Sequence, residues 1–275
     1  MLTFLFWNLH ENVSPEICQG IVASYEVDVA IFAEPPGTPG EMLKGLNRGG
    51  LSYHFPRTEC ERIQIFTKFP RDYLVPLAES QRTSIRHLRL PVLEDILLAS
   101  AHLPSKLHGD GDENSLFACR VLAQEIDRVE AKVGHRRTIV VGDLNADPFE
   151  PAISSANGLH AVMSRRVAHR GERVVQGQVV PFFYNPMWCH LGDHNEAHCG
   201  TYYYDSGGAL NYYWHAFDQV LVRPALVAGF RQRELEIITR VGPHRLVTER
   251  GVPNAESASD HLPLLFRIDL RVQVS

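Results

Sequence analysis

The amino-acid sequence predicts an α/β fold in a single domain that spans residues 1–275. Short apolar segments of strand length alternate with segments of helical periodicity from one end of the chain to the other. The length of 275 residues is within the range of large two-sheet α/β domains. No Pro/Ser-rich linker, low-complexity tract or internal repeat marks a boundary between two domains.

The order of the elements follows from the apolar periodicity. Residues 2–8 and 27–32 are apolar runs of strand length, and residues 15–25 between them suit one helix. Apolar residues recur at helical spacing in residues 115–133, which predicts a second helix. Further strands are expected at residues 63–67, 85–90, 96–101, 138–141, 217–222 and 262–268. The loosely patterned stretch from 148 to about 210 is expected to lie over a site, because loops of that length are usually functional.

Composition and charge restrict the classes of protein to which the chain can belong. Hydrophobic residues make up 44% of the chain and charged residues 21%, which is ordinary for a globular protein with a buried core. The formal net charge of -5 is not the basic footprint of a protein that holds nucleic acid tightly without metal. A carboxylate-rich site can bring its positive charge as a bound metal ion. The net charge therefore argues against a nucleic-acid substrate without excluding one.

The cysteines and the apolar runs indicate a cytoplasmic protein. The five cysteines are an odd number scattered along a long chain, so a disulfide framework is not expected. The N-terminal run lacks a positive n-region and a small-residue cleavage site, and no stretch approaches 18 uninterrupted apolar residues. We therefore expect neither secretion nor a membrane span.

The strongest local signal is the segment IVVGDLNADP, residues 139–148. An apolar strand runs into Gly142 and then presents Asp143 and Asn145, which an extended backbone would place on one face. Hydrolysis at phosphorus needs an acid that can hold or deprotonate water and an amide that can orient the water or a phosphate oxygen. The alternative is a strand end closed by an Asx turn, which also favours Asp, Asn and Gly.

Polar residues stand at the ends of the other apolar runs as well. These residues are Asn8, Glu34, His102, Asp218, Asp260 and His261. Carboxylate oxygens are hard ligands of the kind that Mg²⁺ or Mn²⁺ prefers, and Ser105 and Lys106 after the third of these runs could contact phosphate. Adjacent residues of an extended chain point to opposite faces, so Asp260 or His261 must turn at the strand entrance if both serve one site.

The order of these motifs and the residues in them resemble those of the endonuclease/exonuclease/phosphatase superfamily, which is related to deoxyribonuclease I and exonuclease III. The resemblance extends from WN near the start to SDHLP near the end. It implies a layered α/β sandwich in which two central mixed, largely antiparallel β-sheets pack face to face between helices. It also implies that Asn8, Glu34 and Asp260 are associated with the metal.

The same resemblance implies roles for the remaining strand-end residues. Asp143 and Asn145 would position the attacking water and the phosphate, and Asp218 would orient a catalytic His261. His102 matches a phosphate-contacting histidine, with Glu61 as its candidate carboxylate partner. Further candidate substrate contacts are Lys106, Arg120, Tyr203 and Asn211.

Two clusters in the loosely patterned stretch and just beyond it have alternative interpretations. The segment CHLGDHNEAHC, residues 189–199, contains Cys189, His190, His194, His198 and Cys199, which invite a structural zinc site. It lacks paired ligands at finger spacing, so a polar loop over the site is the other interpretation. The tyrosines and tryptophan of residues 202–214 either stack on nucleic-acid bases or form a β-hairpin that turns at 206–208.

The sequence thus predicts a divalent-metal-dependent phosphoesterase that uses Mg²⁺ or Mn²⁺. A DNA or RNA nuclease or a nucleotide phosphodiesterase is the first hypothesis. The alternatives are a phosphatase or phospholipase acting on inositol phosphates or lipids, and a non-catalytic binding domain on the same fold. The identity of the general base, Asp143 or His261, stays open at this point, as does the oligomeric state.

Overall fold

A computed structural model describes residues 1–106, 111–192 and 199–272 of the chain. Its strands are β1 (Leu2–Asn8), β2 (Val29–Ala33), β3 (Ile63–Thr67), β4 (Leu74–Glu79), β5 (Thr83–Leu88), β6 (Ile96–His102), β7 (Thr138–Asp143), β8 (Ala161–Val162), β9 (Glu172–Val175), β10 (Gln178–Pro181), β11 (Phe183–Tyr184), β12 (Tyr202–Tyr204), β13 (Tyr213–His215), β14 (Asp218–Val222), β15 (Glu236–Ile237), β16 (Arg240–Val241), β17 (His244–Arg245) and β18 (Leu264–Ile268). Its α-helices are α1 (Pro15–Ser24), α2 (Pro39–Leu46), α3 (Gly111–Val133), α4 (Pro151–Ser154), α5 (Arg165–Ala168) and α6 (Pro224–Val227).

Two large sheets form the centre of the molecule. One has five strands in the order β15-β18-β1-β2-β3, and the other has seven in the order β4-β5-β6-β7-β14-β11-β8. Parallel pairs such as β1/β2 and β6/β7 are embedded among antiparallel neighbours. Phe4 and Phe266 of the first sheet share one buried cluster with Ile139 and Val220 of the second, so the sheets pack face to face. The predicted fold class is confirmed.

Helices cover the outer faces of both sheets. Alternation along β1 turns Phe4 inward and Trp7 outward, where Trp7 joins a cluster with Ile21 of α1. On the seven-stranded sheet, Ile126 of α3 packs in a cluster with Val140 of β7. No helix among the described residues is long and apolar enough to cross a membrane.

The structure refines several predicted boundaries. The helix expected at 115–133 begins at Gly111, and the strand expected at 85–90 is Thr83–Leu88. The stretch from 148 to 210 is more regular than predicted, because it contains elements of two to five residues that are too short to show a period. The predicted hairpin is present, with Tyr203 of β12 opposite Trp214 of β13.

A buried ion pair joins α3 to the seven-stranded sheet. Arg223, directly after β14, donates to Glu130 of α3 through Nε at 2.8 Å and Nη2 at 3.1 Å. The Thr138 hydroxyl donates to the same carboxylate at 2.5 Å. The side chains of Arg223 and Glu130 are 3% and 2% exposed, so neither charge has access to water if its partner is removed.

Substituting Glu130 by alanine is expected to lower the free energy of unfolding by up to about 3–5 kcal/mol, because the buried guanidinium loses the carboxylate that binds it twice and keeps only the half-exposed Asp127 at 2.9 Å. Urea denaturation measures the loss. The matched control is Glu125→Ala on the same helix, whose pair with Arg128 is exposed and contributes at most about 0.5 kcal/mol. Equal losses in the two variants would contradict the structural role given to the buried pair.

Candidate active site

One pocket of about 420 Å³ opens where the carboxyl ends of β1, β2, β6 and β7 meet. Its lining is rich in acids, amides and imidazoles. The lining residues are Asn8, His10, Glu34, His102, Ser105, Lys106, Asp143, Asn145, Tyr202, Tyr204, His215, Phe217, Asp260 and His261. Because parallel strands end at the same edge of a sheet, β1/β2 deliver Asn8 next to Glu34, and β6/β7 place His102 opposite Asp143.

Gly142 allows β6 and β7 to approach closely just before the pocket. A Cβ atom on Gly142 would lie 1.9 Å from the carbonyl oxygen of Ala101, a contact that no side chain tolerates. The glycine of the GDLN segment is therefore required by packing between strands that carry His102 and Asp143.

Asp143 and Asn145 both reach the pocket, but not by the alternation of an extended strand. β7 ends at Asp143, and Asn145 has a left-handed backbone with φ of 48°. The Asn145 backbone N–H donates to Asp143 Oδ1 at 3.0 Å, which is the Asx turn considered as the alternative. The Asx turn and the shared pocket are therefore compatible, because the turn directs the Asn145 side chain into the pocket.

Left-handed backbone recurs at this end of the molecule. His10, Glu11, Glu34 and Asn145 have φ between 44° and 53°. This conformation is strained for residues other than glycine and persists where surrounding contacts enforce it, often at functional sites. One such contact is the Glu11 N–H donating to the Glu34 carbonyl at 2.9 Å.

Two carboxylates meet around His10, which sequence reasoning did not single out. His10 Nδ1 lies 3.9 Å from Glu34 Oε2 and 3.5 Å from Asp260 Oδ1. The His10 N–H donates to Asn8 Oδ1 at 3.1 Å, and Arg62 Nη1 donates to Glu34 Oε1 at 3.2 Å. Carboxylate and amide oxygens grouped in this way are a donor set that fits a hard divalent cation. His10 follows a strand that already carried Asn8, and no pattern in the sequence distinguished it from a turn residue.

Asp218 does not line the pocket but lies directly behind His261. Asp218 Oδ2 is 2.8 Å from His261 Nδ1, and His261 Nε2 is 3.9 Å from Asp143 Oδ2. Burial alone would lower the pKa of His261, but the charges of Asp218 and Asp143 outweigh burial and raise the pKa to about 10. Burial also raises the pKa of Asp143.

A bend before β18 brings Asp260 and His261 to the same pocket. Ser259 Oγ donates to the Asn8 carbonyl at 2.6 Å and accepts from the His261 N–H at 3.0 Å. Trp7 Nε1 donates to the His261 carbonyl at 2.9 Å. The last strand begins only at Leu264, so neither pocket residue lies in it, and the opposite-face restriction of an extended chain does not apply.

Asp143, Asp218 and His261 lie close enough together to hold a metal ion. His261 Nδ1 is committed to Asp218, so the ring offers the pocket its other nitrogen, Nε2. Mg²⁺ and Mn²⁺ prefer oxygen ligands. The Asp–Asp–His group therefore suits proton transfer and phosphate contact better, and the oxygens around His10 suit the metal better.

His102 has an imidazole without its predicted partner. Its Nε2 is 3.7 Å from Asp143 Oδ2, and its buried Nδ1 has no hydrogen-bond partner among the residues that the structure describes. Burial lowers the pKa of His102. Glu61 instead accepts from Gln81 Nε2 at 3.0 Å on the surface, and the carboxylate nearest to His102 Nδ1 on this side is that of Glu34, at 3.9 Å. The structure thus does not bring Glu61 to His102.

Of the four candidate substrate contacts, Lys106 alone lines the pocket. Its ammonium group is paired with Glu150 and with Asp112, which offsets its charge toward a phosphate. Arg120 lies on the exposed side of α3 over the Phe117 ring. Because it points away from the sheet, it does not reach the pocket.

Tyr203 and Asn211 also lie outside the pocket. Tyr203 packs against Trp214 at 5.4 Å on the face of β12 opposite to Tyr202 and Tyr204. Asn211 donates to Asp205 Oδ1 within the hairpin loop at 3.1 Å. The hairpin therefore contributes its other tyrosines to the pocket. The aromatic wall, as we name this side, consists of Tyr202, Tyr204, His215 and Phe217.

The zinc interpretation falls partly outside the described residues, because His194 and His198 lie there. Among the described residues of this segment, Cys189 Sγ accepts a hydrogen bond from Gln232 Nε2 at 2.9 Å. Gln232 precedes β15, so this contact ties the segment to the end of the five-stranded sheet.

Comparison with protein-family models and with curated proteins finds no match. Solved structures do match. An endonuclease/exonuclease/phosphatase family protein from Bacteroides thetaiotaomicron has a TM-score of 0.59 at 14% identity, covering 96% of each chain. The 3′ phosphatase NExo from Neisseria, bound to a product DNA hairpin, has a TM-score of 0.57 at 11% identity over 98% of this chain and 100% of that chain. Humanized D. rerio TDP2 has a TM-score of 0.53 at 17% identity over 96% and 97% of the two chains. The chain therefore has the fold of the endonuclease/exonuclease/phosphatase superfamily.

Proposed function

We propose that the protein is a divalent-metal-dependent phosphodiesterase that acts on nucleic acids or nucleotides. The observation that carries the proposal is the Asp218–His261 pair facing Asp143, beside a separate group of oxygen ligands in the same pocket. A structure of the same fold, the 3′ phosphatase NExo, holds a DNA product, which favours nucleic acid as the substrate class.

Asp143 holds and deprotonates the attacking water in this proposal. Its carboxylate accepts from Asn8 Nδ2 at 3.0 Å and from the Asn145 N–H at 3.0 Å, which fix its orientation. Asn145, whose amide nitrogen donates to the Leu103 carbonyl at 2.9 Å, presents its side-chain oxygen to the water. A base fixed in this way contributes to the rate by general base catalysis.

His261 donates a proton to a phosphate oxygen or to the leaving group. Asp218 fixes its ring by accepting from Nδ1, so Nε2 is directed toward Asp143 and the pocket. His102, with Nε2 on the same side, supplies a second contact to the phosphate. Donors aimed at the oxygens where charge develops lower the barrier to attack at phosphorus.

Asn8, Glu34 and Asp260 would hold Mg²⁺ or Mn²⁺, which supplies positive charge against a non-bridging phosphate oxygen. This assignment leaves Asp143 for the water. Asn8 links the two groups, because its Nδ2 donates to Asp143 Oδ2 and its Oδ1 accepts from the His10 N–H.

The test is a panel of single- and double-stranded DNA, RNA, cyclic dinucleotides, inositol phosphates and phospholipids, each with Mg²⁺, Mn²⁺ or EDTA. We expect cleavage of a nucleic-acid or nucleotide diester that EDTA abolishes and excess Mg²⁺ restores. Turnover restricted to inositol phosphates or phospholipids would replace the proposed substrate class. Clean protein that binds phosphate esters and cleaves none would identify a binding domain instead.

A further inference from the structure

A second Asp–His pair lies at the pocket, outside the proposed catalytic group. Asp147 is 1% exposed, and its Oδ2 is 2.7 Å from His215 Nδ1. Its other oxygen accepts from the Ala216 N–H at 2.8 Å. Asp147 itself donates its N–H to Glu150 Oε1 at 3.0 Å. A buried carboxylate with both oxygens engaged holds the imidazole in one orientation.

His215 presents one edge of its ring to the pocket. One face stacks on Phe217 with ring centroids 4.6 Å apart and planes 24° apart. Nδ1 is turned toward Asp147, which is buried beneath the lining. The side chain lines the pocket and is 16% exposed, and Nε2 is the ring nitrogen that Asp147 does not engage.

The aromatic wall connects His215 with the catalytic histidine. The Tyr202 ring centroid lies 4.7 Å from that of His261 and 6.4 Å from that of His215. It also stacks on Phe217 at 5.4 Å. Tyr202 thus lies between the two histidines on the same wall of the pocket.

We propose that His215, held by Asp147, is a specificity residue that binds the organic group of the substrate, and that this group is a nucleoside. The inference rests on the proposed function and adds the residues that recognise the nucleoside. In the tautomer whose Nδ1–H donates to Asp147 Oδ2, Nε2 carries a lone pair and accepts from a base N–H or a sugar O–H. The aromatic rings beside it suit a nucleobase, whose π-face stacks on them, whereas inositol and glycerol have no π-system.

Asp147→Asn reverses the polarity of this contact without changing its size. The asparagine oxygen still accepts from the Ala216 N–H, and its amide donates to His215 Nδ1. The ring proton then moves to Nε2, which becomes a donor toward the pocket. Nitrogen-15 NMR of the histidines reads this change directly: we expect the Nδ1–H tautomer of His215 in the wild type and the Nε2–H tautomer in the variant.

Affinity is tested by titrating metal-free protein with adenosine 5′-monophosphate and with inorganic phosphate. In His215→Phe, which keeps an aromatic ring, and in Asp147→Asn, the preference for the nucleotide over phosphate is expected to fall by about tenfold. The matched control is His244→Phe at an exposed position of β17, which leaves the preference unchanged. The ratio of kcat/KM for a DNA oligonucleotide to that for bis(4-nitrophenyl) phosphate should fall in the same two variants.

The outcomes separate this inference from the proposed function. An active wild type whose variants keep the full preference for nucleotide would overturn the role of His215 and leave the phosphodiesterase proposal standing. A wild type that shows the Nε2–H tautomer of His215 would overturn the role of Asp147. A protein that cleaves no diester but loses nucleotide preference in both variants would support nucleoside recognition and contradict catalysis.

Discussion

Substituting Asp143 by asparagine is expected to lower kcat by about 10²–10⁴-fold, the range in which a positioned general base contributes. The variant keeps the size of the side chain and an oxygen for the Asn8 or Asn145 donor, but it cannot take a proton from water. KM for the diester should change much less than kcat, because Asp143 acts on the attacking water and not on the bound substrate.

Two controls accompany the Asp143 variant. Asp95→Asn makes the same substitution just before β6, at the end of that strand opposite to His102, and should retain wild-type kcat. Mn²⁺ binding, followed by electron paramagnetic resonance, should be retained in Asp143→Asn because Glu34 and Asp260 are intact. A variant that keeps most of its kcat would show that Asp143 is not the base, and one that loses Mn²⁺ would place the metal on Asp143.

His261→Gln and Asp218→Asn are each expected to lower kcat/KM by about 10²–10⁴-fold. The two residues act as one unit through the 2.8 Å contact between Nδ1 and Oδ2, so the double variant should be no slower than His261→Gln alone. The measurement is a double-mutant cycle on kcat/KM, with His244→Gln as the exposed-histidine control.

The same pair can be followed without catalysis. In metal-free wild-type protein, NMR titration should show a His261 pKa near the value of about 10 that the surrounding carboxylates produce. Asp218→Asn removes one of the charges that counteract burial, so the pKa of His261 should fall. Independent, multiplicative effects in the cycle, or a pKa that does not respond to Asp218→Asn, would contradict the coupling between the two residues.

The sequence predicted the strand-end residues because each is marked locally, by an apolar run that stops at a polar side chain. Asn8, Glu34, His102 and Asp143 meet at one pocket since their strands run parallel in pairs. His261 and its neighbour enter through a bend at Ser259 that propensity alone did not show.

Features that depend on long-range pairing were not predictable in this way. Asp147 and His215 are 68 residues apart. Asp147 stands between an alanine and a proline, and nothing in this local sequence distinguishes it from an ordinary turn residue. Tyr203, the middle residue of a run of three tyrosines, was predicted to contact the substrate. The register of β12 against β13 instead places its neighbours Tyr202 and Tyr204 in the pocket. Glu61 was predicted as the partner of His102 from its place just before β3, but its carboxylate accepts from Gln81, and Glu34, from a different strand end, lies 3.9 Å from His102 Nδ1.

The most direct test of the central claim is the fate of solvent oxygen during cleavage of a DNA oligonucleotide in H₂¹⁸O with Mg²⁺. If Asp143 directs water to phosphorus, mass spectrometry will find ¹⁸O in the phosphate of the product and none in the released hydroxyl. No label should appear in the presence of EDTA, and with the Asp143→Asn variant label should appear about 10²–10⁴-fold more slowly. Label in the hydroxyl, or cleavage that persists in EDTA, would contradict metal-dependent hydrolysis at phosphorus in this pocket.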